Sequence, residues 1–266
     1  MGDIIEIVVD KVTCGYGRTP VVQDFSTVVK TGHILCLLGP NGVGKTTLFK
    51  SILRLIPLMG GRIQIDSKDT ATLSRKAFAK LIAYVPQTHT VPFPFLVRDV
   101  VVMGRAVHLG AVGEPSRNDY EIALHWLQQL GISDLADKPY TQLSGGERQM
   151  VLIARAMAQE AAFLMMDEPT TNLDFGNQAR VFGHIMTLAK DVGIIMTTHF
   201  PDHVLQCDCE VVLMQHDGHY LSGPARDIVT EDNLRQTYGV DVHVVETKVD
   251  GVPIWTCVPM IKAEPR

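Results

Sequence analysis

The chain lacks several features, and each absence narrows what it can be. No apolar run approaches the ~20 residues that a membrane-spanning helix needs; the best, such as Ala161 to Met166, are far shorter and end at charges. The opening Met1-Gly2-Asp3-Ile4-Ile5-Glu6 has no basic, apolar leader, and Glu6 stands where a myristoylation pattern needs Ser or Thr. There is no excess of positive charge: 24 Lys+Arg face 29 Asp+Glu, a net charge of −5, which argues against a dedicated nucleic-acid binder. Nor is there a disulfide framework. The five cysteines (Cys14, Cys36, Cys207, Cys209, Cys257) are odd in number and scattered, as expected of a reducing compartment. The close pair Cys207-Asp208-Cys209 could be a two-ligand metal fragment, but reads more simply as ordinary thiols packed as small hydrophobes. Internal repeats and low-complexity tracts are also missing. What remains is a globular chain of 266 residues, 46% hydrophobic and 20% charged. That length fits one large domain or two small ones, with a core that needs no metal or disulfide.

The hydrophobic pattern changes period along the chain. Ile4 to Val9 and Gln23 to Val29 read as strands on either side of a turn-prone Gly15-Tyr16-Gly17. His33 to Leu38 reads as a buried strand, and Lys45 to Ile56 carries apolar residues at helical spacing. Residues 73–82 read as helix leading into a strand, Ile82 to Val85. From about 88 to 143 the character shifts, opening with Val91-Pro92-Phe93-Pro94-Phe95. A helix is expected from near Asn118, with Glu121 as capping partner and Gly131 ending it. Helix (146–159), strand (Ala162 to Met166), helix (177–190) and strand (Gly193 to Thr197) then alternate, which implies a parallel sheet with helices on both faces. Two hairpins are expected at the end, around Asp217-Gly218 and Asp250-Gly251.

Three segments carry chemistry. Gly39-Pro40-Asn41-Gly42-Val43-Gly44-Lys45-Thr46 fits G-x-x-x-x-G-K-[ST] between a strand and a helix. Its glycines let backbone N–H groups wind around a phosphate chain, and the helix aims its positive end at the anion. Lys45 suits the β- and γ-phosphates, and Thr46 suits Mg²⁺. Phe163 to Glu168 is an apolar strand ending in two acids: Asp167 suits Mg²⁺, and Glu168 suits polarisation of an attacking water. Leu143-Ser144-Gly145-Gly146-Glu147 opens a helix and reads as an N-cap or as a second anion site.

Together these segments resemble the nucleotide-binding subunit of ATP-binding-cassette (ABC) transporters, over about residues 4–240. Gly39 to Thr46 resembles the family's Walker A, Phe163 to Glu168 its Walker B with the catalytic glutamate, and Leu143 to Glu147 its signature, which often has Gln where Glu147 stands. Gln87 resembles the Q-loop residue, Thr170 to Asp174 the D-loop, and His199 the switch histidine; Phe200-Pro201 replaces the acid that often follows. Tyr16 stands where the family stacks an aromatic on adenine. The resemblance implies an α/β fold: a P-loop NTPase (RecA-like) core with an N-terminal antiparallel β subdomain and an inserted α-helical subdomain. It implies an ATPase domain over 1–240, with the insertion at about 88–143 and a β-rich extension at 241–266. It further implies catalytic Glu168, His199 and Gln87. ATP would be bound by Tyr16, Gly39, Asn41, Gly42, Gly44, Lys45, Thr46, Thr47, Ser144, Gly145, Gly146 and Asp174, and Mg²⁺ by Thr46, Gln87 and Asp167.

Partners are implied in the same way. Two copies would face head to tail, with Ser144 of one reaching the nucleotide of the other. With no span of its own, the chain would need integral membrane permease subunits, a periplasmic or surface solute-binding protein, and a peripheral place on the cytoplasmic face of the inner membrane. Val101 to Gly110 resembles a stretch found in ATPases of importers for ferric siderophores, haem, cobalamin and some oxyanions. The rival readings are a soluble iron–sulfur-assembly ATPase and an exporter subunit. DNA-repair cassettes are disfavoured because no sustained heptads appear.

Overall fold

A computed structural model describes residues 4–87, 93–110, 113–207, 209–216 and 218–260. The expectations placed on Val91, Pro92, Asp208 and Asp217 fall outside the described residues. The strands are β1 (Glu6–Tyr16), β2 (Thr19–Lys30), β3 (Ile34–Leu38), β4 (Leu58–Ile65), β5 (Lys68–Asp69), β6 (Ile82–Val85), β7 (Phe163–Asp167), β8 (Gly193–Thr198), β9 (Glu210–Met214), β10 (Tyr220–Pro224), β11 (Val242–Val249) and β12 (Val252–Pro259). The helices are α1 (Lys45–Ile52), α2 (Arg75–Ala79), α3 (Val97–Val102), α4 (Arg117–Gln129), α5 (Gly145–Met157), α6 (Phe175–Leu188), α7 (Pro201–Gln206), α8 (Ala225–Ile228) and α9 (Glu231–Tyr238). The chain divides into two compact units. One comprises Met1–Val8, Val28–Gly32 and Ile63–Ile195, the other Val9–Thr27, His33–Arg62 and Met196–Arg266.

In the first unit β6 and β7 pair in parallel, from Ile82↔Phe163 to Val85↔Met166. Every residue of β7 is buried, which explains its unbroken apolar run before Asp167. α5 is buried on nearly every side, with Met150, Val151, Leu152, Ile153 and Ala154 buried in succession. In its described residues the segment between β6 and α5 is helical, carrying α3 and α4, as expected. The start of α4, however, is not capped by Asn118 and Glu121. Ser116 is the N-cap, and Asp119 completes its capping box by accepting from Ser116 N at 2.8 Å. An Asp at the third position, in place of the usual Glu or Gln, hid this box; Glu121 pairs with Arg117 instead.

Asp119 also accepts from Arg105 Nε at 3.0 Å, and Arg105 donates to Ala158 O (2.8 Å) and Glu160 Oε2 (2.5 Å). The Ser116 hydrogen bonds, then Arg105, pull the Asp119 carboxyl down to about 2. Beside it, a Cβ on Gly104 would lie 2.0 Å from Arg155 O, so only glycine lets this turn approach α5. The Val101 to Gly110 stretch thus fastens the insertion to the end of α5.

In the second unit β9 runs parallel to β3 and antiparallel to β10. The β11–β12 hairpin closes with Val249↔Val252, and Asp250-Gly251 takes positive φ at both turn positions. Asp202, in the first turn of α7, accepts from Thr256 Oγ1 (2.8 Å) and Cys257 N (2.7 Å) of this hairpin. Two strands, β4 and the two-residue β5, were not foreseen. α1 ends at Ile52, short of the expected Ile56, and after a short turn β4 begins at Leu58. Gly60-Gly61 in its middle reads as a turn; in the structure a Cβ on Gly61 would sit 2.2 Å from Lys11 O, so the glycine serves close backbone approach.

Candidate functional site

The phosphate-loop sequence lies in the second unit. β3 delivers the chain to Gly39, whose φ of 152° and the Met214 carbonyl, 2.6 Å from where a Cβ would be, exclude any side chain. Gly44 is the N-cap of α1 in the left-handed region, with no side-chain cap, and the first turn of α1 holds no acid. The helix therefore starts without a capping side chain closing its N–H donors. Lys45 is buried, and its Nζ donates to Gly39 O (2.6 Å) and Pro40 O (2.8 Å), so the ammonium lies inside the curl of the loop. Asn41, Gly42 and Thr46 are exposed, whereas Thr47 faces the core. Tyr16 is exposed at the end of β1. His199 follows β8, its ring 4.0 Å from that of Phe200, which lies 5.0 Å from His203. α7 begins with Pro201 at its first turn, where the missing N–H is not needed.

The acids lie in the first unit. Asp167 ends β7 and is buried; burial, and then the charge of Asp167, raises the Tyr84 hydroxyl. Glu168 takes a left-handed φ of 47°, uncommon for a side chain of this type. Gln87 Nε2 and Thr171 Oγ1 both donate to Glu168 Oε2, each at 3.0 Å. The structure thus brings Gln87 to Glu168 and adds Thr171, which sequence reasoning missed. Its signal was the three-residue return from Glu168, closed by Thr171 N to Glu168 O at 3.1 Å.

At α5, Ser144 is the N-cap. Its hydroxyl accepts from Glu147 N (3.3 Å), and Glu147 Oε2 accepts from Ser144 N (2.7 Å). These bonds hold the Glu147 carboxyl below its usual range. Gly145 and Gly146 form the first turn, and a Cβ on Gly146 would meet Asn177 at 2.5 Å. Asn177 in turn donates N and Nδ2 to Asp174 (2.9 and 2.6 Å), the N-cap of α6, and lowers its carboxyl pKa. Asn177 was also missed; the two adjacent glycines were its trace.

The ABC transporter family matches residues 22–171, more than half of the chain. Among its relatives, an uncharacterised ABC transporter ATP-binding protein of Haemophilus influenzae is 43% identical over 84% of this chain and 86% of its own length. The iron(3+)-hydroxamate import ATP-binding protein FhuC of Bacillus subtilis is 32% identical over 94% of both chains. A structure described as an inward-facing metal-chelate type ABC transporter superposes with a TM-score of 0.87 at 30% identity, over 97% of this chain and 98% of that one. The α/β architecture is that of the P-loop ABC ATPases. The chain belongs to the ABC transporter family: it is an ATP-binding subunit and an ATPase. Among the described residues no helix is long and apolar enough to cross a membrane.

Proposed function

We propose that this chain is the ATP-hydrolysing subunit of a membrane importer for a metal chelate or related solute. It would work as a head-to-tail homodimer at the cytoplasmic face of the membrane, on integral permease subunits served by a solute-binding protein. Residues 1–240 would be the ATPase domain, with the insertion at 88–143, and 241–266 its extension. The nature of the relatives supports the importer reading. The single observation that carries the hydrolytic one is the Glu168 carboxylate, fixed at the end of a buried strand by Gln87 and Thr171.

The chemistry is phosphoryl transfer to water, and most of it is positioning and charge. Lys45 and the first-turn N–H groups of α1 cradle the phosphates, with Gly39, Asn41, Gly42, Gly44 and Thr47 shaping the loop; Tyr16 stacks on the base. Exposed Thr46, with Asp167 and Gln87, suits Mg²⁺, which when bound neutralises developing charge on the phosphate oxygens. Glu168 takes the proton of the attacking water. His199 senses the γ-phosphate. Ser144, Gly145 and Gly146 reach the nucleotide of the partner copy, and Asp174 lines the same junction. Phe93 and Phe95, 62% and 41% exposed with ring centroids 6.0 Å apart, offer an aromatic anchor for the permease.

Glu168→Gln keeps shape and hydrogen bonding but removes the base. Phosphate release is expected to fall by at least about a hundredfold, while light scattering with Mg-ATP shows a stable pair of chains. Near-normal turnover would remove Glu168 from this role. Phe93→Ser is expected to leave ATP binding intact and to lose co-purification with the permease; undiminished transport would end the anchor reading.

A further inference from the structure

The second unit holds a cluster of thiols that the nucleotide chemistry does not use. Cys36 lies in β3, Cys207 caps the end of α7, and Cys209 immediately precedes β9. Their sulfurs all lie within 4.8 Å of one another, and all three residues are buried. The fold explains the meeting. β3 and β9 are parallel with Cys36 beside Val211, so residue 209, two earlier, points to the same face. Cys209 Sγ sits 3.3 Å from Cys36 Sγ, and Cys207 Sγ donates to His203 O at 2.8 Å, which fixes its rotamer. The sequence pattern shows only Cys207 and Cys209 together; the third sulfur comes from a strand more than 170 residues away.

The donor set is soft, and among the described residues no further His, Cys, Asp or Glu joins the three thiols. Thiolates select thiophilic d¹⁰ ions. Zn²⁺ takes four ligands in nearly all structural sites, whereas three buried sulfurs this close together match the low coordination number of Cu(I). We propose that Cys36, Cys207 and Cys209 form a three-sulfur binding site for one Cu(I) ion. Each thiol that ligates as a thiolate releases its proton to solvent, so affinity rises with pH. The bound ion ties β3, which runs into the phosphate loop, to α7, which follows His199.

The test uses the full chain with Cys257→Ala, since Cys257 is the one cysteine that is not fully buried. Under anaerobic conditions Cu(I) is presented as its complex with the chromophoric chelator bicinchoninate. One Cu(I) per chain is expected to leave the chelator, more completely at high pH, with a sulfur-only shell in X-ray absorption and a raised melting temperature. Cys36→Ala and Cys209→Ala should each weaken uptake at least about tenfold. If either fails to fold, Cys207→Ser, at the helix end, gives the same readout. Copper remaining wholly on the chelator would overturn the site. So would equal uptake by all variants, nitrogen or oxygen in the shell, or retention of Zn²⁺ in preference to Cu(I).

Discussion

Helices α1 and α5 both begin at a glycine-rich stretch, and they treat their first N–H groups in opposite ways. α1 starts from Gly44 with no side-chain cap and no acid in its first turn. α5 starts from a complete capping box, with a carboxylate against its positive end. The first is ready to seat an anion, because neither a cap nor a first-turn acid competes for the donors. The second is already satisfied. It can add only the N–H groups of Gly145 and Gly146 and the hydroxyl proton of Ser144, which accepts from Glu147 N and still has that proton to donate. α4 shows what such a box does when no ligand is involved: Ser116 and Asp119 close the helix and anchor Arg105. A cap therefore marks a helix end as structural unless a second partner delivers the anion. This contrast supports the proposed division, in which α1 binds alone and α5 completes a site shared between two copies.

The sharpest way to break this contrast is to disable each seat separately. Lys45→Ala is expected to weaken nucleotide binding by one isolated chain about tenfold to a hundredfold, since a charged hydrogen-bond donor contributes about 1.5–3 kcal/mol. Ser144→Arg should leave that binding unchanged and abolish both pairing and hydrolysis. Calorimetric titration and phosphate release read the two effects. If Ser144→Arg weakens binding as much as Lys45→Ala does, the two helix ends are not different in kind.

A smaller effect is expected at the purely structural cap. The Asp119 pKa is depressed to about 2 from an ordinary value near 3.9, so its contribution is complete above about pH 4 and is lost as pH falls towards 2. Asp119→Asn should lower stability by about 3 kcal/mol or somewhat less at neutral pH, because Glu160 still pairs with Arg105. The gap from the parent should close as the medium is acidified. Urea unfolding at several pH values checks the slope, and a pH-independent difference would contradict the charge argument.

The smallest expected change sharpens the comparison at α5 itself. Glu147→Gln keeps an acceptor for Ser144 N but removes a negative charge from a helix start that would receive phosphate. ATP-driven pairing in the Glu168→Gln background should tighten about twofold to fivefold, matching a helix-end charge effect of about 0.3–1 kcal/mol. Weaker pairing would mean that the carboxylate's grip on Ser144 outweighs its repulsion.

What was legible in the sequence follows the same division. Gly39 to Thr46 and Asp167-Glu168 stand out because their chemistry demands those residue types at fixed spacing, and the alternation of strand and helix after residue 143 reads directly. β4 was hidden because Gly60-Gly61 imitate a turn when nothing shows the backbone pressed against them. Thr171 and Asn177 were hidden because their partners are chosen by how one tight turn returns, and a hydroxyl or amide in a loop has no pattern of its own. The Cys36 cluster was hidden by sequence distance alone.

The grip of Asp202 on the last hairpin carries a practical consequence. A single carboxylate oxygen, one position beyond the proline that opens α7, holds both Thr256 and Cys257. Shortening the protein at the end of α9, or fusing a bulky tag close to Pro259, would unclip a brace three residues downstream of His199. A version trimmed for convenience could then report a slower catalytic clock while its nucleotide grip measured normal.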